Sequence, residues 1–262
     1  MDILEEIVIN KRREVAQQKE AVSLERLISL GDGRFNRPVR SMRRALAESP
    51  TGIIAEFKRR SPSKGWLFRE AQVGEVVPGY EAGGASACSV LTDTNFFGGT
   101  MGDLAKARRL VQLPLLRKDF IIDEYQLYQA RLLGADAVLL IAACLTQKEC
   151  QHLIRVAKVL DLEILLEIHQ ESELDYVTDG VDMVGVNNRN LGTFHTDVNN
   201  SLRLSQKLSS SDLLMVSESG ISDPQTVDEL RSVGFRGFLI GENFMRNGDP
   251  GDNVKSFINR LS

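Results

Sequence analysis

Residues 114–141 read PLLRKDFIIDEYQLYQARLLGADAVLLI. An apolar run from Pro114 to Lys118 gives way to a longer helical pattern, Gln126 to Leu133, and then to a second apolar run, Ala137 to Ile141. Apolar runs too short for helices, separated by helical patterns, mark βα units, because a parallel strand is covered on both faces and needs a helix to return the chain. Moving outward, the alternation recurs: runs near Gly52 to Lys58 and Ser86 to Leu91 precede this stretch. Runs near Glu163 to Ile168, Met183 to Asn187, Leu213 to Ser217 and Gly237 to Gly241 follow it. Between them lie helical patterns at Gln147 to Leu160 and Pro224 to Val233, the latter opened by Asp223-Pro224, a cap followed by a proline at the first helical position. Eight βα units predict an α/β fold, a (β/α)8 TIM barrel with an N-terminal helical extension, although periodicity alone does not separate a closed barrel from an open doubly wound sheet.

The extension covers residues 1–49. Ile3, Leu4, Ile7 and Val8 recur at helical spacing, a charged stretch follows, and Leu24, Leu27 and Leu30 resume the pattern. Gly31-Asp32-Gly33 interrupts it and Pro50-Thr51-Gly52 ends it. With no linker or low-complexity segment to divide the chain, one domain over residues 1–262 is expected, close to the usual length of such a barrel.

Composition narrows the function. Hydrophobic residues at 42% and charged residues at 26% permit a substantial core. A formal charge of −4, from 32 basic and 36 acidic side chains, offers no general attraction to nucleic acid or anionic lipid, so an anion must be held by a local site. Cys88, Cys144 and Cys150 lack CxxC spacing, and the histidines match no metal-ligand pattern, which predicts reduced thiols and no metal. Asp2-Ile3-Leu4-Glu5-Glu6 is unlike a secretory leader and no apolar run reaches membrane-spanning length, so a cytoplasmic protein with no membrane partner is expected.

In a (β/α)8 barrel the site gathers at the C-terminal ends of the strands. The two-residue strand period puts Glu56 and Lys58 on one face at the end of the first strand, as a pair at the mouth or as an inward salt bridge. It separates Lys118, with Leu116, from Arg117, and turns Lys118 into the cavity, where a lysine near other cations could carry a lowered proton affinity and give a proton to a substrate oxygen. Glu167, after Leu165-Leu166, stands where a carboxylate could act as a general base; His169 reads as a supporting or surface residue. Asn187 and Arg189 could bind carboxylate or phosphate oxygens. The seventh and eighth strands end Ser217-Glu218-Ser219-Gly220 and Ile240-Gly241-Glu242, at the recurrent phosphate site of barrels. The expected ligand is a small phosphorylated molecule.

These segments together resemble indole-3-glycerol phosphate synthase of tryptophan biosynthesis. The resemblance is carried by Ile54-Ala55-Glu56-Phe57-Lys58-Arg59-Arg60-Ser61-Pro62-Ser63-Lys64-Gly65 and Leu116-Arg117-Lys118-Asp119-Phe120-Ile121-Ile122-Asp123. It continues through Leu91-Thr92-Asp93, Leu166-Glu167, Asn187-Asn188-Arg189-Asn190-Leu191, Ser217-Glu218-Ser219-Gly220-Ile221 and Phe238-Leu239-Ile240-Gly241-Glu242. It implies ring closure of 1-(2-carboxyphenylamino)-1-deoxyribulose 5-phosphate, with loss of carbon dioxide and water, to indole-3-glycerol phosphate. By the same resemblance no cofactor is needed, Lys118 is the general acid and Glu167 the later base. Lys58 contacts the substrate carboxylate, and Glu56 and Asn187 orient these groups. Substrate binding falls to Ser61, Arg189, Glu218, Ser219, Gly220, Gly241 and Glu242, the glycines and Glu242 through the main chain, with Pro62, Phe97 and Phe120 walling the ring. The extension is expected over the barrel mouth, and the protein is expected to be a monomer with at most transient contact to other tryptophan-pathway enzymes. Trp66 and Glu242-Asn243-Phe244-Met245 depart from the commoner family residues and bear on the ring pocket's shape.

Two rival readings give different expectations. Phosphoribosylanthranilate isomerase needs a cysteine and an aspartate as base and acid, whereas Cys88 falls inside the second strand, before its end. A noncatalytic phosphosugar-binding barrel would have no use for Lys118 and Glu167.

Overall fold

The eight apolar runs form eight parallel strands in the computed structural model, which describes residues 3–33, 35–190, 192, 194–208 and 213–261. Met1 and Asp2 of the acidic start and Leu191 of the sixth-strand motif lie outside the described residues. The strands are β1 (Ile53–Phe57), β2 (Ala87–Leu91), β3 (Leu115–Lys118), β4 (Ala137–Ile141), β5 (Glu163–Ile168), β6 (Met183–Asn187), β7 (Leu214–Glu218) and β8 (Phe235–Ile240). Each pairs with its sequence neighbours, and β1 also pairs with β8 through Ile53↔Phe238, Ile54↔Leu239 and Ala55↔Ile240. That last ladder closes the barrel and settles what periodicity left open.

Strand parity sorts the core into two layers. Ile54, Ala87, Leu116, Ala137, Leu139, Leu165, Met183, Val216 and Leu239 fill the barrel interior. Their neighbours of opposite parity, including Ala55, Cys88, Leu115, Val138, Leu166, Val184 and Phe238, pack outward against the helices. Each large aliphatic side chain so buried contributes roughly 1.5–3 kcal/mol, which makes a one-residue slip in any strand prohibitive.

The helices are α1 (Ile3–Ala21), α2 (Leu24–Leu30), α3 (Met42–Glu48), α4 (Val73–Ala82), α5 (Met101–Leu110), α6 (Glu124–Leu133), α7 (Gln147–Val159), α8 (Asn199–Leu208), α9 (Pro224–Ser232), α10 (Glu242–Met245) and α11 (Pro250–Ile258). Capping boxes Thr100/Asp103, Asp123/Gln126 and Thr146/Glu149 start α5, α6 and α7, and Asp223 caps α9 ahead of Pro224. Two features were not foreseen. Arg60–Ser61 and Gly65–Trp66 form a small antiparallel hairpin after β1, and β5 returns to β6 through a 3-10 helix at Glu171–Tyr176.

The extension runs down the barrel instead of lying wholly across its mouth. Its top is pinned by Lys11, fully buried on α1, whose Nζ lies 3.0 Å from Asp93 Oδ2 and 2.9 Å from Asp119 Oδ1 at the ends of β2 and β3. Lower down, Arg37 pairs with Asp136, just before β4, at 2.9 Å. At the opposite end Ser41 donates to Glu163 at the start of β5, and Met42 and Leu46 of α3 are completely buried under the barrel floor. There Gly237 leaves room for Leu46, since a Cβ would come within 3.2 Å of its Cδ1. Replacing Lys11 with Met leaves buried Asp93 without its cation, while Asp119 keeps Arg117, and is expected to cost about 3 kcal/mol in equilibrium denaturation. A loss under about 1 kcal/mol would contradict this role for the ion pairs.

Candidate active site

A cavity of about 590 Å³ opens at the C-terminal ends of the strands. Every expected site residue lines it: Glu56, Lys58, Ser61, Pro62, Phe97, Lys118, Phe120, Glu167, Asn187, Arg189, Glu218, Ser219, Gly220, Gly241 and Glu242. Strand order around the barrel divides the lining. Loops after β6, β7, β8 and β1 bring Arg189, Ser219, Gly220, Gly241, Glu242 and Ser61 to one side. Loops after β2 and β3, the end of β4 and the start of α1 bring Phe97, Phe120, Ile141, Ile3, Leu4 and Ile7 to the other. Phe97 and Phe120 meet with ring centroids 5.9 Å apart. One side is thus polar and cationic and the other apolar, as a ligand with a phosphate at one end and an aromatic ring at the other requires.

The ionic centre lies between these sides. Lys118 Nζ stands 3.3 Å from Glu167 Oε2 and 3.4 Å from Glu218 Oε2, and Lys58 pairs with Glu56. Asn187 Nδ2 donates to Glu167 Oε1 at 3.0 Å. The carboxylate side chains are 5% exposed or less, so their charges act through little screening. Burial works against the charged lysine, but Glu167, Glu218 and Glu56 outweigh it and hold the Lys118 proton more tightly than usual. The expected lowering among cations is therefore corrected: the nearest groups are anions, and Lys118 rests fully protonated. Glu167 stays ionised well below the usual range; burial opposes this, and Lys118, His169 and Asn187 outweigh the burial. Glu218 goes the other way, pushed up to about 8 by burial, with Lys118 opposing and Glu167 and Glu56 adding to the rise. The centre therefore sets Lys118 and Lys58 against Glu167 and Glu56, with Glu218 the carboxyl whose proton affinity is raised.

Glycines make room for two of these carboxyl groups. A Cβ on Gly185, facing inward on β6, would lie 2.2 Å from Glu218 Oε1, and one on Gly241 would lie 2.3 Å from Glu56 Oε1. Gly185→Ala is expected to push Glu218 off Lys118 and lower kcat on the order of tenfold with a folded barrel. An unchanged kcat would show that Glu218's placement does not matter.

Arg189 is set by its own loop and by the loop after β1. Its N–H donates to Asn187 Oδ1 at 3.0 Å and its Nη1 to Ser63 Oγ at 2.8 Å. Glu242, expected to serve through its main chain, also uses its side chain: Oε2 lies 3.6 Å from Arg189 Nη2 and Oε1 2.6 Å from Arg246 Nη2. Ser219 (φ 69°) and Gly220 (φ 77°) both take the left-handed conformation, an uncommon one for serine that gives this turn a defined shape.

Parity correctly removes two cations from the cavity. Arg59 binds Asp103 at 2.7 Å behind the first loop, and Arg117 points outward to Asp119 at 2.9 Å and to the Gln126 carbonyl at 2.7 Å. Sequence reasoning missed Arg246 and Ser63 at the polar end and the contact between Glu218 and Lys118. The last was legible in parity, because Glu218 follows the inward residues Leu214 and Val216 by two-residue steps. Among the described residues, no group of three or more His, Cys, Asp or Glu side chains is placed to hold a metal ion.

A closed parallel barrel with an ionic centre at its mouth defines a (β/α)8-barrel enzyme. The family model described as "Indole-3-glycerol phosphate synthase" matches residues 4–257. An indole-3-glycerol phosphate synthase of Bacteroides thetaiotaomicron is 59% identical over 261 residues, covering 99% of both chains. One of Neisseria meningitidis is 43% identical over 265 residues, again covering 99% of both. The chain belongs to the indole-3-glycerol phosphate synthase family, and so to the carboxy-lyases. Among solved structures, a mutant tryptophan synthase α-subunit of Pyrococcus furiosus superposes with a TM-score of 0.61 at 14% identity, covering 80% of this chain and 97% of that one. That likeness concerns the barrel fold.

Proposed function

We propose that this chain closes the pyrrole ring of 1-(2-carboxyphenylamino)-1-deoxyribulose 5-phosphate, releasing carbon dioxide and water to leave indole-3-glycerol phosphate, a step of tryptophan biosynthesis. The observation that carries the chemistry is a protonated Lys118 facing Glu167 across 3.3 Å inside a cavity with one cationic and one apolar side.

In this reading the substrate phosphate sits with Arg189, Ser61 and the main chain of Ser219, Gly220, Gly241 and Glu242, while its aromatic ring lies against Pro62, Phe97 and Phe120. Lys58 meets the ring carboxylate. The ring carbon bearing that carboxylate attacks the ketone carbon as Lys118 protonates the ketone oxygen, so no free alkoxide forms. Loss of carbon dioxide returns its bonding electrons to the ring. The hydroxyl then departs as water with a second proton, while Glu167 removes one proton from the closing ring. Two protons are delivered and one is taken away, so each turnover consumes one. Glu56 orients Lys58, and Asn187 orients Glu167.

The isomerase reading has less support. Cys88 packs in the layer between barrel and helices, with its thiol pushed up by burial, and it does not line the cavity. The proposal extends to a cofactor-free, cytoplasmic monomer that meets other pathway enzymes only transiently; no helix among the described residues is long and apolar enough to cross a membrane. Incubating the purified chain with the carboxyphenylamino substrate should give a product with indole fluorescence and one equivalent of carbon dioxide. Isomerised sugar without indole would replace this reading with its rival.

A further inference from the structure

One half-buried titratable group beside the ionic centre has no part in the chemistry above. His169 follows Glu167 by two residues, and its side chain is 13% exposed. Its Nε2 lies 3.2 Å from Glu167 Oε1 and its Nδ1 3.7 Å from Glu173 Oε2. Among the described residues neither ring nitrogen has an aligned hydrogen-bond partner, so its contacts with the two carboxylates are those of ion pairs. The main chain is fixed as well. His169 N–H donates to Glu173 Oε2 at 2.6 Å, and the His169 carbonyl accepts from Asn200 Nδ2 at 3.0 Å, which also donates to the Asn187 carbonyl at 3.1 Å. One amide on α8 thereby ties together the ends of the two strands that carry Glu167 and Asn187.

The two oxygens of Glu167 have separate partners. Oε1 faces Asn187 and His169, and Oε2 faces Lys118. We propose that His169 is a positioning residue for Glu167: an imidazolium clamped between Glu167 and Glu173 that holds Oε1 back and leaves Oε2 turned to Lys118 and the cavity. The proposal rests on the reading of Glu167 as the base.

The charge on the ring follows from its surroundings. Burial disfavours the imidazolium, but Glu167 and Glu173 outweigh it and raise its pKa to about 9. Among the described residues, Glu167 and Glu173 are the charged groups that set the charge on the ring. Lys118, and beyond it Glu218 and Glu56, reach it only through Glu167; Arg203 on α8 ends on Asn200 Oδ1; Lys207 and Glu171 pair with each other at the surface. The sign of the pH effect is then fixed. The clamp is intact below the imidazolium pKa and lost as pH rises through it, so kcat should fall through about 9 in the parent enzyme.

Kinetic pH profiles of three forms test this. Glu173→Gln keeps His169 but removes one of its carboxylates, so the alkaline fall in kcat should move down by about one pH unit or more, together with the His169 titration followed by NMR. His169→Gln should show kcat lower on the order of tenfold at neutral pH, no such alkaline fall, and an unchanged KM, because neither end of the substrate touches the ring. The proposal is overturned by a Glu173→Gln profile that coincides with the parent's, or by parental kcat in His169→Gln, even if its melting temperature drops. Glu167→Gln at full turnover would remove the base itself and the proposal with it, a result the other two variants cannot mimic.

Discussion

Lys118→Met should lower kcat on the order of 10³-fold while leaving product affinity within a few fold. Two losses combine in this variant: the proton for the ketone oxygen and the positive charge that stabilises the developing alkoxide. Methionine keeps the length and the apolar stem, so packing against the barrel interior is retained. The barrel should also survive the lost charge. Burial raises the proton affinity of Glu218, so it can take up a proton once the lysine charge is gone, and Glu167 keeps Asn187 and His169 as partners. Steady-state turnover and a fluorescence titration with indole-3-glycerol phosphate measure the two quantities separately. Turnover within about tenfold of the parent would take Lys118 out of its role.

Glu167→Gln should also reduce indole formation, by about 10²- to 10³-fold, but at a different stage. Glutamine preserves the shape and can still bond to Asn187, yet it accepts no proton. If Glu167 acts only after ring closure, a rapid-quench experiment should find about one equivalent of carbon dioxide released per site at near-parental rate, with no indole following it. Lys118→Met should release neither. Parallel loss of both products in Glu167→Gln would place its action at closure.

Most of the fold was legible because the barrel repeats one local rule. A run such as Ala137–Ile141 is too short for a helix and too apolar for a surface, and eight such runs at regular spacing leave few architectures. Parity goes further and separates Lys118 from Arg117 from the sequence alone. Closure was not legible, since the β1 to β8 ladder joins residues nearly two hundred positions apart without a local signal. The protonation of Lys118 failed for the same reason: its direction depends on Glu167 and Glu218, which reach it only across the closed barrel. The path of the extension was hidden likewise. Its amphipathic pattern shows that α1 and α2 must be covered, but the partners at opposite ends of the barrel, Asp119 for Lys11 and Glu163 for Ser41, are set by tertiary structure.

A crystal structure with indole-3-glycerol phosphate bound tests the central claim most directly. The phosphate should lie against Arg189 and the main chain of Ser219, Gly220 and Gly241, and the indole ring should lie between Phe97 and Phe120 on one side and Lys58, Lys118 and Glu167 on the other. An indole ring more than hydrogen-bonding distance from all three of Lys58, Lys118 and Glu167, or a phosphate held at the opposite side of the mouth, would contradict it.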